Sequence, residues 1–104
     1  MMSTKELVMD ALDEVEDPEL NLSIVELGLV YDVRFESKEG IQHAEVDMTL
    51  TSPGCPAAAE IMAAAHRAAL KAVESVHINL VWSPRWDPKV HASEDAKMDM
   101  GIWD

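Results

Sequence analysis

One cysteine, Cys55, stands among 104 residues, so no intramolecular disulfide can form. A secreted domain of this size would usually carry an even set of bridging cysteines, which argues for a reducing compartment. Basic residues are scarce as well: 8 against 20 acidic ones, a formal charge of −12. That balance repels phosphate backbones and anionic lipid heads, so it speaks against nucleic-acid and membrane-surface roles. It suits cationic partners or metal ions, and equally a solvated surface or a high-salt source. No apolar run approaches the roughly 18 residues that a membrane-spanning helix needs. The opening residues Ser3-Thr4-Lys5-Glu6 turn polar at once, without the basic start and apolar middle of a signal peptide. A cytoplasmic chain is expected, folded as one domain over residues 1–104.

What is present is patterned. Ser3 and Glu6 have the spacing of a capping box, and Leu7, Val8, Ala11, Leu12 and Val15 follow at helical intervals. A helix over about 4–15 is expected, ended by Pro18. Leu29, Tyr31, Val33 and Phe35 then alternate with Val30, Asp32, Arg34 and Glu36, as Ala44, Val46, Met48 and Leu50 do with Glu45, Asp47 and Thr49. With Ser37-Lys38-Glu39-Gly40 between them, the two runs read as an antiparallel hairpin. Pro56 fits a first helical position, and Ala58, Met62, Ala65, Ala69, Ala72 and Val73 make one helical face reaching to about Glu74. A strand over about 77–82 follows, parallel to the second because a helix joins them. Ser93 caps a short helix that Gly101 closes. The expected fold is α+β: a two-layer sandwich of helix-strand-strand-helix-strand-short helix on a three-stranded mixed sheet.

Cys55 is the foremost chemical candidate. Between Gly54 and Pro56, where strand gives way to helix, it is expected to act as the helix N-cap. There the unpaired N–H groups would favour thiolate, the form that attacks electrophiles and binds metals. The competing reading is a buried structural thiol. Asp17, Glu19 and Glu26 put carboxylates on the loop before the first strand, either for a metal or partner near Cys55 or as plain surface charge. Thr51 and Ser52 can donate to a bound sulfur or anion, or simply satisfy loop backbone. His43, His66, His77 and His91 show no helical metal spacing, and no paired-cysteine motif exists, which leaves a complete zinc site in one chain without support. Trp82, Trp86 and Trp103 gather near the end, to anchor a partner or to cover a small core.

The stretches Asp17-Pro18-Glu19, Ile24 to Tyr31, Met48 to Pro56 and Trp82-Ser83-Pro84-Arg85-Trp86 resemble the SufT/PaaD-like family of the iron–sulfur cluster assembly domain superfamily. The likeness runs over nearly the whole chain, and Thr51-Ser52-Pro53-Gly54-Cys55-Pro56 is its most specific part. It implies a factor that matures iron–sulfur proteins. Cys55 matches the family's motif cysteine, and Asp17, Glu19, Glu26, Thr51 and Pro53 match other motif positions. The implied cargo is transient: iron, or an iron–sulfur cluster. The implied partners are client proteins and other assembly or carrier proteins. The PaaD branch serves a phenylacetate oxygenase and usually carries a cysteine-rich zinc region, whereas this chain looks more like the short SufT form. One thiolate cannot fill a cluster's coordination, so ligands from a second subunit, a partner or a small thiol would be needed, and two Cys55 thiols in a homodimer remain short of four. An acidic adaptor with Cys55 incidental, or an enzyme with Cys55 as nucleophile, are the competing functions.

Overall fold

The computed structural model describes residues 3–52 and 54–102. Helix α1 (Thr4–Leu12) opens with the expected reciprocal cap between Ser3 and Glu6, and buries Val8 and Leu12. It ends at Asp13, five residues before Pro18, so the proline does not stop it. The chain then forms a small antiparallel pair that the sequence pattern does not announce, β1 (Glu16–Asp17) and β2 (Leu22–Ser23), turned at Pro18–Asn21 with Asn21 at φ 55°.

The main sheet has the order β3-β4-β5, with β3 (Val30–Lys38) antiparallel to β4 (Ile41–Met48) and β4 parallel to β5 (Ser75–Leu80). Both φ values at Glu39 and Gly40 are positive, as a tight two-residue hairpin turn requires. The alternation of β3 departs from the expected row at its start. A bulge between Val30 and Asp32 pairs Val30 with Met48 and leaves Tyr31 as the extra residue. From Asp32 onward the faces separate cleanly. Val33, Ala44, Val46, Met48 and Val76 are buried inward, while Arg34, Glu45 and His77 share an outer rung.

Helix α2 (Ala58–Ala69) crosses from β4 to β5 and buries Ile61, Ala65, Ala68 and Ala69 in the common core with α1 and the inner sheet face. It is shorter than the apolar spacing suggests. Lys71 and Ala72 donate three residues back, to Ala68 and Ala69, so the coil tightens while Val73 still faces inward. Two short helices close the described chain: α3 (Pro88–His91), capped by Asp87, and α4 (Glu94–Met100), capped by Ser93 and ended by Gly101 at φ 75°. Among the described residues no helix is long and apolar enough to cross a membrane.

Candidate functional site

The β1–β2 turn determines where two carboxylates go. Asp17 is fully buried, and its Oδ1 accepts the Glu19 N–H at 2.8 Å, which curls the chain after Pro18. That curl directs Glu19 towards the loop following β4, where the Cys55 thiol donates to Glu19 Oε1 at 3.7 Å. The other Asp17 oxygen, Oδ2, is buried without a partner among the described residues. A buried polar atom left unpaired costs about 1–3 kcal/mol, so something holds this one in place against a penalty.

Cys55 itself is 7% exposed and belongs to the hydrophobic core cluster. Its N–H donates to the Ser52 carbonyl at 3.3 Å, and its own carbonyl accepts from Ala58 at 3.3 Å. Two expectations from the sequence are corrected by this geometry. The N-cap of α2 is Ala57, with no side-chain hydrogen bond, so neither Cys55 as cap nor Pro56 as first helical residue holds. Nor is the thiol shifted towards thiolate. Burial pushes it up; one N–H from Ala57 works the other way, but the charges of Glu19 and Asp17 and the hydrogen bond to Glu19 add to the rise. Cys55 is a protected thiol with carboxylates beside it.

The remaining candidates separate. Thr51 and Ser52 line a pocket of about 550 Å³ with Leu50, Trp82, Arg85 and Trp86. Trp82 is 45% exposed there, whereas the Trp86 indole N–H donates to the Leu27 carbonyl at 2.7 Å. Pro53 and Trp103 lie outside the described residues. Glu26 serves another contact: its carboxylate accepts from the Ser93 hydroxyl, and its carbonyl accepts the Ser93 N–H at 2.7 Å. Gly28, at φ 75°, passes so close to the His91 backbone that a Cβ would lie 2.0 Å from its carbonyl oxygen. Tyr31 donates to the Pro84 carbonyl at 3.0 Å and stacks on His91 at 5.1 Å. The Glu26-Leu27-Gly28 motif is thus the platform on which the chain after β5 docks.

Sequence reasoning alone missed a polar ladder on the outer face of the sheet. Glu45 accepts from the rings of His43 and His77 and from Asn79, and Asn79 continues to Asp47, which Arg34 grips with two bonds. His43 first, then Asn79 and His77, hold the Glu45 carboxyl down to about 2. Its signal is the alternation of residues 43, 45 and 47 against 75, 77 and 79, readable only once the parallel register is known. Among the described residues no three His, Cys, Asp or Glu side chains converge to hold a metal ion.

Comparison with known proteins places these features. A family model described as iron–sulfur cluster assembly protein matches residues 5–80. The chain is 43% identical over 100 residues to the Fe-S protein maturation auxiliary factor YitW of Bacillus subtilis, covering 94% of each. It is 42% identical over 90 residues to the Fe-S protein maturation auxiliary factor SufT of Staphylococcus aureus, covering 85% of this chain and 98% of that one. Among solved structures, a domain of unknown function from Bacillus anthracis superposes with a TM-score of 0.83 at 36% identity, over 96% of this chain and 93% of that one. A conserved hypothetical protein from Thermotoga maritima gives 0.78, also at 36% identity, over 97% and 100%.

Proposed function

Since the chain belongs to the iron–sulfur cluster assembly protein family, we propose that it is a cytoplasmic factor in the assembly or maturation of iron–sulfur proteins. It transfers, or helps to transfer, iron, sulfur or a cluster to client proteins through Cys55. The observation that carries this reading is the Cys55 thiol held against Glu19, beside a fully buried Asp17 with an unpaired oxygen. Thiolate is the soft ligand that holds iron–sulfur clusters. The names of the two relatives, both Fe-S protein maturation auxiliary factors, point the same way. A single thiolate leaves most of a cluster's coordination to other donors, which suits cargo shared with a carrier or a client. A cysteine-nucleophile enzyme has less support, because among the described residues the side-chain partner of the thiol is the Glu19 carboxylate and no histidine pairs with it.

The deciding experiment replaces Cys55 by Ser and by Ala, and sets thermal melting beside client-enzyme activity in cells that depend on this protein. Folded variants with client activity lost are expected. Full client activity in both variants would hand the function to an acidic adaptor surface instead. Metal and sulfide analysis of anaerobically purified protein identifies what Cys55 carries.

A further inference from the structure

Building blocks of iron–sulfur clusters can reach a cysteine in two opposite forms, as the ferrous cation or as sulfane sulfur, which leaves the cysteine an anionic persulfide. The surroundings of Cys55 treat these differently. Glu19 Oε1 is 3.7 Å from the sulfur, and Asp17 lies fully buried next to Glu19 with Oδ2 unpartnered. Among the described residues no Lys, Arg or His side chain forms an ion pair with either carboxylate. Water reaches only 7% of Cys55 and none of Asp17, whereas Glu19 stands between them and solvent as an exposed side chain. A persulfide anion here would face the Glu19 carboxylate oxygen, with the Ala57 N–H as its one opposing contact among the described residues. A cation held by Cys55 and Glu19 would be favoured by the buried Asp17 carboxylate behind Glu19, whose Oδ2 has no partner among the described residues.

Resting on the reading of Cys55 as the cargo-bearing residue, we propose that Asp17 and Glu19 make its site selective for ferrous iron over sulfane sulfur. Glu19 is the second ligand beside the thiolate. Asp17 is a positioning residue, holding Glu19 through its N–H and adding charge from behind. In the binding step the S–H bond breaks and an S–Fe bond forms. The proton passes by way of the Glu19 carboxylate to solvent, and no electron moves. Two ligands from the chain leave the rest of the coordination sphere to water and to the recipient, in keeping with the absence of a three-donor group among the described residues.

Cadmium(II) serves as the probe, because its sulfur-to-metal absorption band reports only metal on the thiolate and ignores the acidic surface. The wild type is expected to develop the band with one equivalent, and Cys55→Ser to abolish it. Glu19→Gln, a change at an exposed side chain, should weaken binding about tenfold or more, in line with the loss of a ligand or its supporting shell. Asp17→Asn should weaken it in the same direction. In parallel, exposure to polysulfide should leave more trapped persulfide on Glu19→Gln than on wild type. Equal metal affinity in wild type and Glu19→Gln, or equal persulfide yield, would overturn the proposal. These readings are made on the purified protein and are independent of client maturation. If Cys55→Ser still matures clients while the affinities differ as expected, the maturation role falls and the site's preference stands; the opposite pattern removes the preference alone.

Discussion

Replacing Gly28 by Ala tests whether the end of the described chain is held by the platform at 26–28. Two costs arise. At φ 75° an L-residue sits in the left-handed region, about 1–2 kcal/mol uphill. The new methyl would also lie 2.0 Å from the His91 carbonyl oxygen, 2.4 Å from its carbon and 2.7 Å from its Cβ. A backbone carbonyl has no rotamer to escape into, so α3 must lift away. The Ser93 bonds to Glu26 and the stacking of His91 on Tyr31 then weaken, at about 1 kcal/mol each. The sum is about 3–5 kcal/mol, a large share of the 5–15 kcal/mol typical of a domain. Such a loss lowers the melting temperature by more than about 10 °C. Gly40→Ala is the matched control, since φ there is 80° but nothing lies within 4 Å of the added methyl. Circular-dichroism melts of both variants, with limited proteolysis of the 82–93 segment, separate the clash from the strain. If Gly28→Ala melts no lower than Gly40→Ala and resists protease equally, the platform does not hold the chain end and the docking is refuted.

Three further outcomes are expected from the geometry. Iodoacetamide should alkylate Cys55 with a midpoint above that of an ordinary thiol, because burial and the two carboxylates oppose the thiolate; a lower midpoint would restore the helix-cap reading. The Glu45 carboxyl is depressed in the folded state from 4.5 to about 2, so its stabilisation is complete above 4.5 and disappears as pH falls from there towards 2. Urea unfolding across that window should show a flatter acid limb for Glu45→Gln, and an unchanged slope would count against the ladder. Thr49 Oγ1 is buried without a partner among the described residues, so Thr49→Val should leave the melting temperature unchanged or raise it, with a gain of up to about 1 kcal/mol. A clear loss of stability in that variant would mean the hydroxyl is bonded after all.

The elements that depend on local chemistry are readable from residues alone. Ser3 with Glu6, Ser93 with Gly101, and the alternation around Val33 and Val46 need only near neighbours to act. The mixed sheet is legible as well, because a helix between strands leaves little choice of crossover. Where expectation and structure part, the cause lies far along the chain. The rise of the Cys55 thiol comes largely from burial and from Glu19, a residue 36 positions earlier, and no feature next to Pro56 announces either. Glu26 looks like a partner for Cys55 because it is acidic and lies in a motif, yet its carboxylate meets Ser93. The apolar spacing overruns the end of α2 because the coil tightens at Lys71 and Ala72, while the Val73 N–H still reaches the Ala69 carbonyl four residues back and keeps Val73 on the inner face.

The platform at 26–28 also has a consequence for how the protein is made. Its contacts, with that of the adjoining Tyr31, join residues far apart in the order of synthesis: Tyr31 to Pro84, Leu27 to Trp86, Glu26 to Ser93, separations of 53, 59 and 67 residues. At about 5–20 residues per second, a ribosome that has just added Tyr31 needs roughly 3–12 s to reach Ser93. During that interval the first helix and the hairpin can form, but Glu26 and Gly28 wait beside an unfilled seat. The nascent chain therefore completes its packing late, and a chaperone that recognises an unfinished fold has seconds in which to find this one.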